Sequence, residues 1–312
     1  MSCARKQAGA ALLTAMIIVT LVSSLAAAMV WRQYRAVQIE AAERARAQAS
    51  WILLGALDWA RMILREDARA NRNEPVDHLG EVWAVPLAEA RLSTFLAADK
   101  DNADDGPEAF LSGTLQDAQA FYNLRNLLGG EKLPPAELLT LQRLCESAGL
   151  SPDAALQLAN KLRAAFAPTE GGNAALQPRT VDQLAWLGLS AEAIAKLKPL
   201  VILLPEPTPV NLNTAPRQVI AALFEGMDLA SAERLVQARA NQPLRKIDDL
   251  KTYAPNVQVN SERASVASSF FIVDGRLRLE ERVLEERSLV QRRNLEMLVL
   301  SRERVNLVLP PR

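Results

Sequence analysis

One uncharged apolar run near the N-terminus constrains this 312-residue chain more than any other feature. Residues 10–31 carry no charged side chain, and they follow a short basic segment that contains Arg5 and Lys6. At about 1.5 Å per helical residue the run is about 33 Å long, enough to cross ~30 Å of hydrocarbon. The sequence therefore predicts a transmembrane segment at 10–31. A secretory signal that is cleaved near Ala28 is the alternative.

The apolar pattern continues past the uncharged run, which a cleaved signal does not explain. Apolar residues recur at steps of three and four, as on one face of a single helix, while charged residues such as Arg35 and Glu43 fill the other faces. The pattern predicts an amphipathic continuation of the same helix over residues 32–70. Part of this face is a candidate surface for a partner helix. We call it the helix stripe: Val30, Tyr34, Val37, Ala41, Ala45 and Ile52.

The start of the run resembles the leader junction of type IV pilins and pseudopilins. Gly9 precedes the sequence AALLTAMIIV, and in those proteins a prepilin peptidase cuts after such a glycine. The resemblance implies a leader at residues 1–9 that is removed between Gly9 and Ala10. Most members carry glutamate at the fifth mature position, which here is Thr14. In lacking that glutamate, the chain resembles one family in particular, the minor pseudopilin K of type II secretion systems.

A second segment, far from the anchor, resembles the same family. Residues 113–127 read GTLQDAQAFYNLRNL and match its signature, in which a glycine leads into an Asp-x-Gln step and a run of asparagine and leucine. We interpret Asp117 as part of this strand-and-turn signature rather than as an acid catalyst. Short strands are predicted at 82–85 and 110–121, within a first part of a pilin-like core that covers 71–126.

The middle of the chain carries a repeated turn. Three glycines end apolar helical stretches, and a residue type that caps helix N-termini follows each of them. The pairs are Gly149 with Ser151, Gly188 with Ser190, and Gly226 with Asp228. The pattern predicts an inserted all-helical domain at 127–259 that contains helical-hairpin repeats of the helix-hairpin-helix or SAM-like kind.

The third hairpin also resembles helix-hairpin-helix modules that bind DNA. Those modules present backbone amides to a phosphate, but here Glu225 and Asp228 place two carboxylates at the turn. Affinity for DNA comes largely from cationic contacts, so packing against protein is favoured and no nucleic acid is expected. The balance of 36 basic and 36 acidic residues gives no further reason to expect such a partner.

Alternating apolar and charged residues predict strands after the helical block, at 270–273, 276–279, 283–290 and 295–300. They belong to a C-terminal part of the core at 260–312. Because strands lie on both sides of the helical block, the block is an insertion. The predicted fold class is α+β: a pilin-like long N-terminal helix packed on an antiparallel sheet, with a large inserted all-helical domain.

One acidic segment is a candidate cation site, and we call it the acidic loop: Asp99, Asp101, Asp104 and Asp105. Calcium takes several carboxylate oxygens from flexible loops. The spacing is not that of an EF-hand, because Ala103 and Ser112 stand at ligand positions, and a solvated loop is the alternative. Resemblance to the family implies Ca²⁺ in the soluble region without assigning its ligands. No other cofactor is predicted.

Residues with catalytic potential are few. Cys3 lies in the predicted leader, and Cys145 lies in an apolar helical pattern that is expected to bury it. The single histidine, His78, lies in a segment rich in turn formers. The sequence has no nucleophile elbow, phosphate-binding loop or metal-ligand spacing, so we predict no enzymatic activity and no catalytic residue.

The family resemblance implies a structural role in protein export. It predicts a minor pseudopilin that caps the periplasmic pseudopilus, held in the inner membrane by one helix. The implied partners are the minor pseudopilins I and J, then H, the major pseudopilin G, and the prepilin peptidase. A membrane-anchored factor for DNA uptake or competence, based on the helix-hairpin-helix resemblance, is the alternative function.

Overall fold

The computed structural model describes residues 8–92, 109–130, 132–167, 176–279 and 282–305. The first helix, α1, covers Ala8–Ala70 and is rich in alanine and leucine, which favour helix. Arg69 lies in its last turn, where a cation interacts favourably with the helix dipole. The segments predicted at 10–31 and 32–70 are therefore one continuous element. The chain divides into two units, Met1–Leu54 and Gly55–Arg312, and α1 contributes residues to both.

Strands dominate two parts of the second unit, one on each side of a helical stretch. The described strands are β1 (Leu87–Arg91), β2 (Ala109–Asp117), β3 (Tyr122–Asn123), β4 (Val201–Ile202), β5 (Val210–Asn211), β6 (Ala264–Ser265), β7 (Phe270–Leu279), β8 (Arg282–Arg293) and β9 (Glu296–Val305). Five of them form an antiparallel sheet in the order β1, β2, β7, β8, β9. Two parallel pairs, β3 with β4 and β5 with β6, lie outside that sheet.

The pairing of β2 with β7 makes the helical stretch an insertion. These strands are neighbours in the sheet, yet residues 118–269 separate them along the chain. Their register places Gly113 opposite Gly275, and a Cβ atom at Gly113 would lie 2.8 Å from the carbonyl oxygen of Asp274. The glycine that opens the signature is therefore required by the close approach of the two strands.

The inserted stretch is built from short helices. Its α-helices are α2 (Pro135–Ser147), α3 (Pro152–Phe166), α4 (Ala191–Leu197), α5 (Arg217–Leu223) and α6 (Leu229–Asn241). Helices of the 3₁₀ type cover Val82–Ala84, Ala118–Ala120, Leu124–Leu128, Val181–Leu187 and Ile247–Thr252. The first of these precedes β1, and the others lie within the inserted stretch.

The three predicted glycine turns have the expected backbone and caps. Gly149, Gly188 and Gly226 have φ of +69°, +82° and +79°, the left-handed region that glycine adopts without steric cost. Each following cap residue accepts a hydrogen bond from a backbone N–H in the first turn of the next helix. The acceptors are Ser151 from Ala154, Ser190 from Ala193, and Asp228 from Ser231. These local predictions are confirmed.

Separate apolar cores stabilise the described part of the second unit. The C-terminal part of α1 packs through Leu57, Ala60 and Leu64 on side chains of the sheet that include Phe271 and Val290. A larger core fills the inserted helices and holds buried leucines of α2, α3 and α6. The predicted packing of the long helix on an antiparallel sheet is therefore confirmed.

Several predicted strand boundaries are wrong. Residues 82–85 were expected as a strand, but Val82–Ala84 is a 3₁₀ helix, in which the N–H groups of Ala84 and Val85 donate to the carbonyls of Glu81 and Val82. The strand expected at 110–121 ends at Asp117, whose side chain accepts a hydrogen bond from the N–H of Gln119 and turns the chain. The segment 127–259 is not all-helical, since β4 and β5 lie within it. The strands expected at 270–273 and 276–279 are one strand, β7.

Candidate functional site

The N-terminal part of α1 has the length and composition of a membrane span. An 18-residue window of this helix has a mean hydropathy of 2.3, and none of the window is buried. Its hydroxyl groups bond within the helix: Thr14 Oγ1 lies 3.1 Å from the carbonyl oxygen of Ala10 and 3.0 Å from that of Ala11. Thr20 and Ser24 donate to backbone carbonyls in the same way. Such pairing suits a helix in lipid, which offers polar groups no water.

The helix stripe is most exposed near its N-terminal end. Val30, Tyr34 and Val37 are 66%, 58% and 62% exposed, and Ala41 is exposed as well. Ala45 and Ile52 are half-buried. Exposed apolar side chains at helical spacing are what a second helix can cover, so the stripe stays the predicted partner surface.

Two other predicted sites lie near the N-terminus and after β1. Gly9 and Ala10, the predicted processing site, both lie inside α1. The acidic loop, with Asp99, Asp101, Asp104 and Asp105, lies outside the described residues.

The signature residue Asp117 lies at the centre of a buried hydrogen-bond network. Its Oδ1 accepts from the N–H of Gln119 at 2.7 Å. Its Oδ2 accepts from three side chains of the inserted stretch: Asn211 Nδ2 at 2.9 Å, Thr214 Oγ1 at 2.5 Å and Ser268 Oγ at 2.6 Å. Asp117 is 1% exposed, so all four donors would lose a buried partner if the carboxylate were removed.

The other polar residues of the signature join the same segments. Gln119 Nε2 donates to the carbonyl of Pro209, and its Oε1 accepts from the N–H of Ser269. Asn123 Oδ1 accepts from the N–H of Leu204 at 3.1 Å. Asn126 pairs through both side-chain atoms with the backbone of Thr208. We call these four side chains the signature network: Asp117, Gln119, Asn123 and Asn126.

A second polar cluster lies next to the signature network and centres on Arg292 of β8. Its guanidinium donates to Asp67 Oδ2 at 2.9 Å, to the carboxylate of Asp77 and to the carbonyl of Ser268 at 2.6 Å. Asp77 also accepts from the N–H of Ser268 at 2.7 Å. Glu81 accepts from Trp83 Nε1 at 2.7 Å and from the N–H of His78 at 2.9 Å. The cluster joins the end of α1 to the sheet.

Burial perturbs the carboxylates of both clusters. Loss of hydration, followed by the charges of Glu81 and Asp77, raises the pKa of Asp67 to about 7. Burial likewise raises the pKa of Asp77. It raises the pKa of Asp117 to about 6, although the hydrogen bonds from Ser268 and Thr214 act in the opposite direction.

The remaining candidates for chemistry have structural roles. Cys145 is buried, as predicted, and burial raises the pKa of its thiol to about 11, so the reactive thiolate is disfavoured. His78 lies in a turn, where its Nδ1 accepts from the N–H of Gly80. Neither residue has the surroundings of a nucleophile or general base.

Comparison with known proteins identifies the family. The family model described as type II secretion system (T2SS), protein K, matches residues 210–268. The type II secretion system protein K of Klebsiella pneumoniae is 32% identical over 336 residues, covering 92% of this chain and 96% of the relative. The corresponding protein of Pseudomonas aeruginosa is 31% identical and covers 84% of this chain and 81% of the relative.

This chain belongs to the type II secretion system protein K family. It is a minor pseudopilin of the type II secretion system, as the leader junction and the signature predicted. A chain of the crystal structure of the GspK-GspI-GspJ complex from enterotoxigenic Escherichia coli has the same fold, with a TM-score of 0.66 at 21% identity. The match covers 85% of this chain and 99% of that chain.

The region matched by the family model contains the three side chains that donate to Asp117. It starts at Val210, in β5, and ends at Ser268. Asn211, Thr214 and Ser268 all donate to the Asp117 carboxylate. In this member of the protein K family, the matched region therefore contains the side chains that Asp117 binds, while Gln119, Asn123 and Asn126 bind residues just outside it.

Sequence reasoning missed most members of these clusters. Asp67, Asp77 and Arg292 lie far apart along the chain, and their types and spacing form no motif. The signature itself was found, but the sequence did not reveal that its polar residues bind the 204–214 segment. Hydrogen bonds between segments so far apart in the sequence can be identified only once the strand order is known.

We predict that Asp117→Asn destabilises the protein and changes its pH dependence. The amide would turn a donor toward Asn211 Nδ2, and a buried donor without a partner costs about 1–3 kcal/mol. Between about pH 4 and about pH 6 the folded wild type binds a proton at Asp117 that the unfolded chain does not, so its stability falls as pH rises through that window. The loss caused by Asp117→Asn should therefore be larger at low pH than at neutral pH.

Urea unfolding of both proteins at about pH 4.5 and about pH 7 measures this difference. Asp248→Asn is the control, because its carboxylate is exposed and pairs with Lys251 at the surface, where such pairs contribute up to about 1 kcal/mol. A loss of stability in Asp117→Asn that grows with rising pH would contradict a raised pKa of Asp117 in the folded protein.

Proposed function

We propose that this minor pseudopilin caps the tip of the periplasmic pseudopilus, held in the inner membrane by the N-terminal part of α1. The observation that carries the proposal is the insertion of residues 118–269 between the adjacent strands β2 and β7. A subunit in the body of a fibre must accept another subunit above it. A bulky helical insertion obstructs such stacking. A subunit at the tip has no subunit above it, so it can carry the insertion.

Thr14 supports a terminal position. In most pilins a glutamate at the fifth mature position neutralises the N-terminal amine of a neighbour. The hydroxyl of Thr14 carries no charge and lies within hydrogen-bond distance of Ala10 and Ala11 carbonyls of its own helix. A subunit with no neighbour above it has no amine to neutralise, so the loss of the glutamate costs it nothing.

We infer that the minor pseudopilins I and J pair with this chain through the helix stripe. The E. coli structure that shares this fold is a complex of GspK, GspI and GspJ. The exposed Val30, Tyr34 and Val37 give a partner helix an apolar surface to cover. The pseudopilins H and G would lie below this complex. The prepilin peptidase would act earlier and cut between Gly9 and Ala10.

The glycine turns of the insertion are proposed to be repeats of one helical hairpin. Each combines a left-handed glycine with a capped helix start, as at Gly188 with Ser190. The DNA-uptake alternative is not favoured at the third turn. There the Asp228 side chain accepts from the N–H of Ser231 at 2.6 Å. This backbone N–H is one that a DNA-binding module would offer to a phosphate, and here it already binds a carboxylate.

The tip position can be tested by antibody labelling of pseudopili sheared from cells. We expect gold particles against this chain at one end of each fibre, and particles against the major pseudopilin along its whole length. Labelling of this chain along the fibre would contradict the proposal.

The pairing through the helix stripe predicts that Val37→Asp weakens co-purification with I and J, because a charge would be buried against an apolar partner. Ile39→Asp is the matched control: Ile39 is 59% exposed on the opposite face of α1, so the same substitution there should have little effect. Equal loss in the two variants would show that the stripe is not the pairing surface.

Processing predicts that N-terminal sequencing of the membrane-extracted protein begins at Ala10. Gly9→Val should block cleavage, because a β-branched side chain hinders the close approach of the backbone to the peptidase. The variant should then keep the slower mobility of the uncut precursor. A mature band starting near Ala28 in the wild type would instead indicate an ordinary signal peptide.

A further inference from the structure

Three carboxylates meet where the end of α1 approaches the sheet. Asp67 lies in the last turns of α1, Asp77 in the following loop, and Glu81 directly before the 3₁₀ helix Val82–Ala84. One carboxylate oxygen of each residue lies within 4.8 Å of the other two. We call Asp67, Asp77 and Glu81 the carboxylate triad.

Hydrogen bonds fasten the loop after α1 through the carboxylate triad. Asn71 Nδ2 lies between two of its members and donates to Asp67 Oδ1 at 3.2 Å and to Glu81 Oε1 at 2.9 Å. Arg292 of β8 donates to Asp67 and to Asp77. The triad therefore holds the loop against the end of α1 on one side and against the sheet on the other.

The triad carries more negative charge than its surroundings neutralise. Over the described ranges, Arg292 is the cation that ion-pairs with it, through Asp67 and Asp77. One guanidinium against three carboxylates leaves an excess of two negative charges. The Asp67 and Asp77 side chains are only 12% and 1% exposed, so water screens that excess weakly. The groups that donate to Glu81 are neutral: Trp83 Nε1, the N–H of His78 and Asn71 Nδ2.

A bound proton would lower the cost of burying these carboxylates. Asp77 Oδ1 is buried and has no hydrogen-bond partner among the described residues, and a neutral carboxyl is less costly to bury than a charged one. Burial, followed by the charges of Glu81 and Asp77, raises the pKa of Asp67 to about 7, and burial raises the pKa of Asp77 as well. Because the three groups interact, the proton belongs to the triad rather than to one residue.

The other ionisable groups around the triad come from the sheet and from the loop itself. Arg292 is the one from β8. Burial, and further the charge of Asp77, raise the pKa of Asp117 at the end of β2, so a fourth carboxylate lies near the triad. His78 contributes its backbone N–H to Glu81, while its ring Nδ1 accepts from a backbone N–H of the same loop.

The geometry points to a clasp controlled by a proton: we propose that the carboxylate triad holds one proton at and below neutral pH, and that loss of this proton promotes opening of the loop after α1. With the proton bound, the triad and Arg292 carry an excess of one negative charge. Without it the excess is two, and repulsion in a site that excludes water drives the loop away from Asp67. The proposal does not depend on the tip position or on pairing with I and J.

The direction of the pH dependence follows from the two states of the loop. In the open loop the carboxylates are solvated and titrate near their ordinary values, at about pH 4. In the closed loop the triad keeps its proton up to about pH 7. Between these values the closed state binds a proton that the open state does not, so opening becomes more frequent as pH rises through the window.

The test is an NMR titration of the full-length protein in detergent, with ¹⁵N-labelled tryptophan and with EDTA to exclude divalent cations. Trp83 Nε1 donates to Glu81 Oε2 at 2.7 Å, so its indole signal reports on the triad. The signal should titrate with a midpoint of about pH 7. Asp67→Asn removes one negative charge, so the triad no longer needs a proton near neutrality and this titration should disappear. Asp58→Asn is the matched control, since Asp58 is exposed on the same helix and pairs with Arg61.

Histidine is the other residue type that changes its charge near neutral pH, so His78→Gln separates its contribution. This variant keeps the backbone N–H that binds Glu81, and titration of the Trp83 signal should persist in it. A titration that is lost in His78→Gln and kept in Asp67→Asn would assign the event to the imidazole and overturn the proposal.

Hydrogen exchange measures the opening itself. The N–H groups of His78 and Ser268 donate to Glu81 and Asp77, so they exchange when the clasp opens. After correction for the intrinsic exchange rate, opening should become about tenfold more frequent per pH unit between about pH 5 and about pH 7, because one proton is released, and should then level off.

Two results would contradict the clasp in the wild type. One is a Trp83 signal that does not move between about pH 5 and about pH 8, and the other is an opening frequency that is independent of pH below about pH 7. If Asp67→Asn does not fold, Asp77→Asn is titrated in its place, and an unchanged midpoint in that variant counts equally against the proposal.

Discussion

The buried carboxylate of Asp117 is the interaction on which the rest of the second unit depends. It lies at the end of β2, where the chain leaves the sheet, and it accepts from Ser268 just before the chain returns in β7. It also accepts from Asn211 and Thr214, in the middle of the inserted stretch. One side chain thereby joins the middle and the end of the insertion to the end of β2 in the sheet. Because four donors converge on a group that is 1% exposed, a substitute with fewer acceptor sites leaves some of them unpaired.

This arrangement explains how a pseudopilin sheet can carry a large insertion without losing its register. The strands β2 and β7 pair as far as Asp117 opposite Phe271, which holds the two ends of the insertion together. Gln119, Asn123 and Asn126 then bind the backbone of the 204–214 segment. The parallel pairs β3–β4 and β5–β6 continue the same contacts as backbone hydrogen bonds. The insertion and the sheet are consequently expected to behave as one unit rather than as two domains joined by a linker.

The sequence predicted those parts of the fold that depend on local chemistry. An uncharged run predicts a helix, left-handed glycines followed by Ser or Asp predict turns and caps, and alternation predicts the C-terminal strands. It failed where hydrogen bonds decide local structure: Val82–Ala84 is a 3₁₀ helix, and Asp117 ends a strand expected to reach 121. The carboxylate triad and Arg292 could not be found in this way, because residues from α1, a loop and β8 meet only in the folded chain. The partner face, the processing site and the acidic loop remain predictions.

Hydrogen exchange under increasing denaturant tests most directly whether the signature network makes the insertion and the sheet one unit. The amides of Leu204, Thr208 and Ser269 donate to side chains of the network, so they report on it, while the amides of β7 and β8 report on the sheet. We expect the two sets to exchange with the same opening free energy, as in one cooperative unfolding event. Exchange of the 204–214 amides at a clearly lower free energy than those of β7 would contradict the account.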